Sequence, residues 1–257
     1  MTHRFPLSVR GASVVLAAVG MMIVPTAVPT STAHRALALE EAEIFLELND
    51  TDGDLGLHGS IDGEPWTQLE VVDPAGTRLL NIASRNALRQ QGMTQLAFES
   101  AEPPFDELSV AEFLARFPEG VYRIEARAQE GGTLAGTDRL SHVLAAPVSN
   151  ITVNGQPVPE SCDARPLPVV TPPVVVDWDP VKSHHPTIGK PGPVDIELYQ
   201  VFVERDNVNL GVDLPPKVTE LEIPKQVTAL GAQFKLEIIA RTSTGNNTAI
   251  ETCFRVQ

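Results

Sequence analysis

Aromatic residues make up only 5% of this 257-residue chain, and its 19 Lys and Arg are far outnumbered by 33 Asp and Glu. The first shortage leaves no extended stacking platform for bases or sugars. The second gives a net charge of −14, with no basic excess to displace counterions from nucleic acid or from an anionic membrane surface. Neither is expected as a partner. No GxSxG elbow, phosphate loop, dinucleotide fingerprint, HxxxH or CxxC spacing is present. Catalysis therefore has no motif to carry it, and the enzyme class is disfavoured. What is present is a globular composition, 42% hydrophobic and 20% charged, long enough for two domains that each bury a core.

Arg4 and Arg10 carry the only charges in the first 34 residues, and Gly11 to Pro29 is uncharged throughout. This reads as a secretory signal: Pro25 and Pro29 shorten the run for a membrane span, and small-residue cleavage patterns follow at Ser31-Thr32-Ala33 and Ala36-Leu37-Ala38. Cleavage after Ala38 is the preferred reading, making 1–38 the signal peptide and the protein periplasmic or extracellular. Arg4, Arg10 and Arg35 leave with it and no acid does, so the net charge falls to −17. In an exported chain the two cysteines, Cys162 and Cys253, are expected to pair across about 90 residues; two buried thiols are the alternative.

Short alternating runs separated by turn chemistry follow the signal, which is how antiparallel β structure appears in sequence. Glu43 to Asn49, Leu55 to Ile61, Trp66 to Val72, 77–82, Met93 to Glu99, Val121 to Gln129 and Thr133 to Leu144 read as seven strands. Asp62-Gly63 is read as leading from the second into the third, and Asp73-Pro74-Ala75-Gly76 as a β-turn. Arg85 to Gln91 predicts one or two helical turns. Ser109-Val110-Ala111-Glu112 is a capping box opening a helix through Phe113, Leu114 and Phe117. Residues 39–146 are thus expected to form a β-sandwich with a helical insertion and Trp66 in its core. Seven prolines between Pro147 and Pro173 mark a boundary, and a second set of strands fills 147–257. The expected fold class is all-β, two tandem sandwiches.

Trp178 in VVVDWDPV, Tyr199 in ELYQVFVER and the run FKLEIIARTSTGNNT resemble a fibronectin type III module. The resemblance covers about 110 residues and implies that Trp178 and Tyr199 lie in the core on the second and third strands. Phe234 stands where that family carries the tyrosine of its tyrosine corner, so that hydroxyl bond is expected to be absent. A Cys pair is also atypical of the family. The first domain, through NDTDGDLGLHGSIDGEPW, LAFESAEPPFDEL and FPEGVYRIEA, looks like an uncharacterised segment of secreted bacterial proteins, a likeness that implies no activity.

Three clusters could carry chemistry. Asp50, Asp52 and Asp54 alternate in a turn, with Asp62 and Glu64 further on; alternating acids can aim hard oxygens at one Ca²⁺. Leu55 and Ile61 stand where an EF-hand has Gly and its bidentate Glu, so an EF-hand is excluded. A hairpin-loop calcium site and a solvated acidic turn are the two readings left. His184-His185 reads as an exposed loop pair, with His58 near the acidic turn. Glu99, Glu102, Asp106 and Glu107 surround Pro103-Pro104-Phe105 and read as a surface charge run, unless two of them face each other across a cleft as a glycosidase requires. Asn49, Asn150 and Asn246 open acceptor sequons. The expected function is a secreted or periplasmic non-catalytic interaction protein acting on an unidentified envelope or extracellular protein or polysaccharide. The alternatives are a calcium-dependent binder and a hydrolase using Glu99 or Glu102.

Overall fold

The computed structural model describes residues 36–257. The signal peptide expected over 1–38 lies outside the described residues except for its last three positions. In chain order the elements are β1 (Leu37–Ala38), β2 (Glu41–Asn49), β3 (Asp54–Val72), β4 (Arg78–Ala83), α1 (Asn86–Gln91), β5 (Met93–Glu99), α2 (Val110–Arg116), β6 (Gly120–Ala128), β7 (Thr133–Leu140), β8 (Ser149–Val153), β9 (Gln156–Pro157), β10 (Val169–Val170), β11 (Val174–Asp179), β12 (Ile196–Arg205), β13 (Val208–Leu214), β14 (Glu220–Ile223), α3 (Lys225–Thr228), β15 (Ala232–Thr242) and β16 (Asn247–Val256). The protein is all-β, with two hydrophobic cores: one from Leu39 to Leu144, the other from Ala145 to Val256.

Alternation builds the first core. Ile44, Leu46 and Leu48 of β2 point inward while their neighbours face out. The two strands expected on either side of Asp62-Gly63 are one: β3 is a strand of 19 residues that changes partners midway. Residues 54–62 pair with β2 and β5, and 66–72 with β4 and β6. The register breaks between Asp62 and Trp66, where Pro65 has no N–H to give a ladder. The strand thereby changes partners without leaving its sheet. Trp66 is fully buried just past that break.

Beyond the break β6 pairs with β7, which β2 approaches closely. A Cβ on Gly136 of β7 would stand 2.5 Å from that of Ala42, so only Gly allows this approach. The capping box at Ser109 and Glu112 forms, and α2 turns Phe113 into the core with Leu114 and Phe117 beside it. Tyr122 was not singled out from sequence. It is fully buried at the start of β6, and its hydroxyl donates to Pro118 O at 3.0 Å, a tyrosine-corner bond in the first domain rather than the second. Burial, with Asp73 nearby, pushes that hydroxyl up to about 12.

In the second core β9, β8, β11 and β14 face β16, β15, β12 and β13. This is the strand arrangement that the fibronectin type III resemblance implies. Trp178 of β11 meets Tyr199 of β12 edge-on at 5.5 Å, and Tyr199 Oη accepts from Val181 N at 2.8 Å. Phe234 of β15 is buried and stacks on Phe254 of β16 at 5.5 Å. Phe thus fills the tyrosine position by volume alone. Cys162 and Cys253 form a disulfide that ties the proline-rich segment to β16. Such bonds persist in oxidising compartments. Among the described residues no helix is long and apolar enough to cross a membrane.

The two domains share one sheet. β16 runs parallel to β2, with Asn247, Thr248 and Ala249 opposite Glu47, Leu48 and Asn49. The result is a continuous path β7-β6-β3-β2-β16-β15-β12-β13.

Candidate functional site

The joint between the domains follows from a need of β2. Its outer edge carries backbone N–H groups that β3 cannot satisfy, and buried donors must find acceptors. Ile44 N donates to Asp138 Oδ2 at 2.8 Å, Leu46 N to Asn246 Oδ1 at 2.9 Å, and Asp50 N to Ala249 O at 3.0 Å. Asn246 also donates through Nδ2 to Ser141 O at 2.8 Å and Val143 O at 3.0 Å. A residue of the second domain, 1% exposed, thus satisfies three backbone groups of the first. Its sequon is sealed inside the fold. Thr248 Oγ1 adds a bond to Ala145 O at 3.0 Å.

The acidic turn belongs to this joint. Asp50 Oδ1 lies 2.9 Å from His185 Nε2, and Thr51 Oγ1 accepts from Glu251 N at 2.8 Å. His185 Nδ1 accepts from Thr187 N and Ile188 N, so its proton sits on Nε2 and points at Asp50. The expectation of an exposed His184-His185 pair is corrected, since His185 is 6% exposed. Its loop docks on the first domain through His185 N to Leu144 O, Lys190 N to His142 O and the Lys190–Glu119 ion pair. A local turn signal cannot reveal a partner 135 residues away.

Three of the four acids singled out for calcium take different hydrogen-bond partners. Asp50 serves His185, Asp52 Oδ2 accepts from Asn49 Nδ2 at 3.2 Å, and Asp62 Oδ1 accepts from Gly63 N at 2.7 Å. The register sets Asp54 opposite Asn49 and Asp62 opposite Glu41, at the two ends of the β2–β3 pairing. That is roughly 26 Å along the strand, so Asp62 cannot share an ion with the turn.

Asp54 instead faces a different group. Asp54, Gly56 and His58 share one face of β3, with Glu47 opposite Gly56, and Phe45 and Glu99 opposite His58 on either side. Glu102 lies over Gly56: a Cβ there would stand 1.7 Å from Glu102 Oε1. Only a bare Cα leaves room for this carboxylate, which reaches His58 Nε2 at 2.9 Å. His58 also stacks on Phe45 at 5.4 Å, and Arg241 covers the same Phe45 at 5.0 Å. Burial, then Glu102, Asp52, Glu251 and Glu47, pushes the Asp54 carboxyl up to about 6. Burial also raises Glu102, against the pull of His58. The surface run expected around Pro103 therefore includes one carboxylate tucked into the sheet.

This face continues into the second domain. A shallow depression of about 560 Å³ is lined by Glu43, Phe45, Glu47, His58, Glu204, Phe202, Asp213, Glu237 and Arg241, among others. Burial, with Glu251 opposite it in the ladder, pushes the Glu237 carboxyl up to about 7. The cations here are already engaged: Arg241 with Glu43 at 2.6 Å and Lys235 with Glu251 at 2.7 Å. The outer face of the shared sheet is acidic across both domains.

No protein-family model matches the chain, and neither does any curated protein. Among solved structures it is similar to a tetra-tandem repeat in the extending region of a large adhesion protein, at 12% identity and TM-score 0.26, covering 84% of this chain and 49% of that one. A structure concerning host-cell-surface retention of a 1.5-MDa bacterial ice-binding adhesin gives 12% and 0.25, covering 87% and 66%. A two-domain fibronectin type III segment of chicken tenascin gives 14% and 0.27, covering 84% and 98%. The chain spans about half the length of the first of these and 66% of the second.

Proposed function

We propose that the chain is an exported, non-catalytic interaction module whose two sandwiches act as one rigid body. The outer face of their shared sheet meets an extracellular or envelope partner, a protein or polysaccharide bearing cationic groups. The parallel pairing of β16 with β2 carries this reading, because it turns two domains into a single platform. Inter-domain contacts of ordinary size permit relative motion; a shared sheet with buried backbone bonds resists it. The carboxylates of the depression outnumber its cations, and complementary charge steers encounter with a basic partner.

The test is binding of residues 39–257 to isolated envelope fractions and to a panel of neutral, anionic and cationic polysaccharides. The reading expects retention on cationic material that weakens with salt and with Glu43→Gln/Glu47→Gln/Glu204→Gln. Retention unchanged by those substitutions contradicts it. Turnover of any panel member that disappears in Glu102→Gln would favour the hydrolase reading instead.

A further inference from the structure

Among the described residues, His58, Glu99 and Glu102 form the one group of three or more His, Cys, Asp or Glu whose ligand atoms all lie within 4.8 Å of one another. The group is mixed, an imidazole with two carboxylates, and it is built rather than incidental. Gly56 gives up its side chain so that Glu102 can lie between Asp54 and His58, and Phe45 holds the His58 ring by stacking.

A second observation points the same way. Two buried oxygens on this face have no hydrogen-bond donor: Asp54 Oδ1 and Asn247 Oδ1. Asn247 is 3% exposed; its Nδ2 donates to Glu47 Oε2 at 2.8 Å, next to the strand position over which Glu102 lies. Both orphans are acceptors. Buried acceptors without donors are costly, and the nearby Arg241 and Lys235 are held by Glu43 and Glu251. What this place lacks is positive charge that the chain itself does not supply.

We propose that His58, Glu99 and Glu102, with Asp54 alongside, bind a divalent transition-metal cation of the Zn²⁺ class. Imidazole with carboxylate suits Zn²⁺ or Mn²⁺, whereas Ca²⁺ takes oxygen ligands, which three of these four groups offer but His58 does not. The ion would replace the His58–Glu102 contact as the link between the two side chains. Glu99 is exposed, so the site opens to solvent and leaves coordination positions for water or a partner's group.

The chelator-treated protein is titrated with Zn²⁺, Mn²⁺ and Ca²⁺, with thermal unfolding and calorimetry as readouts. With Zn²⁺ at a hundredfold over its Kd, the expected rise in Tm is about 5–10 °C. It should shrink at least fivefold in Glu102→Gln and in His58→Gln and persist in Asp52→Asn and His184→Ala. Should His58→Gln fold poorly, NMR of the wild type gives the same answer, with Zn²⁺ shifting the His58 ring resonances ahead of those of the other histidines. A Zn²⁺ response kept in Glu102→Gln, or lost in His184→Ala, overturns the proposal. So does a response to Ca²⁺ alone that disappears in Asp52→Asn, which would return the site to the turn.

Discussion

Replacing Asn246 by Ala removes one side chain and strands three backbone groups. Leu46 N loses its acceptor, and Ser141 O and Val143 O lose their donor, in a place that is 1% exposed. Each buried group left unpaired costs about 1–3 kcal/mol, and partial relaxation of the smaller residue brings the sum to about 3–5 kcal/mol. For a unit of this size that is a fall in Tm of roughly 6–20 °C. The molecule carries its own reporters, because Trp66 sits in one core and Trp178 in the other. Both indole N–H groups are buried without a partner, so Trp→Phe at either position sacrifices no hydrogen bond. Urea unfolding of the two single-tryptophan proteins should give coincident transitions, the mark of one cooperative unit. In the Asn246→Ala background the two transitions should move to lower urea and separate. A loss below 1 kcal/mol with coincidence preserved would refute the claim that this residue couples the domains.

Glu237 is raised from 4.5 to about 7 in the folded protein, so the folded state holds its proton where the unfolded state has released it. Stability therefore falls as pH rises from about 4.5 to 7, and after allowance for its partial exposure the effect is about 2 kcal/mol. Glu237→Gln should raise Tm at pH 8, do nothing at pH 4, and flatten the pH profile between; an equal effect at both pH values would contradict this. Cys162→Ser/Cys253→Ser opens a loop with a sequence separation of 91. The chain-entropy model gives about 4–5 kcal/mol for such a loop, and a midpoint in urea unchanged by the double substitution would refute it. Tyr122→Phe deletes the bond to Pro118 O and should cost about 1 kcal/mol; a neutral result would mean that Pro118 O finds another donor.

Local chemistry was legible in the sequence and long-range pairing was not. The alternation of β2, the capping box at Ser109 and the Asp73 turn each depend on residues within a few positions of one another, and all three form. The runs on either side of Asp62-Gly63 read as two strands although they form one, because what joins them is the choice of partner strand on each side. Asn246-Asn247-Thr248 read as a sequon in a loop. Its role emerges only against Leu46 and Glu47, 200 residues away. The acids at 50–54 were visible as a cluster, but their division between a joint at Asp50 and a carboxylate group at Asp54 depends on His185 and Glu102. Gly56 gave no signal by itself, since its meaning is the space it leaves for another side chain. Tyr122 could have been found: a Tyr four residues after Pro118 and two after Gly120, at a strand start, has the spacing of a corner.

The proposed mode of binding requires the two sandwiches to move as one. Spin labels placed on exposed sites in different domains, at Gln90→Cys and Asn207→Cys, measure this through the distance distribution between them. A single narrow distribution is predicted for the wild-type background, broadening when Asn246→Ala is added. A broad or bimodal distribution in the wild-type background would contradict the shared sheet as a rigid platform, and with it the proposed mode of binding.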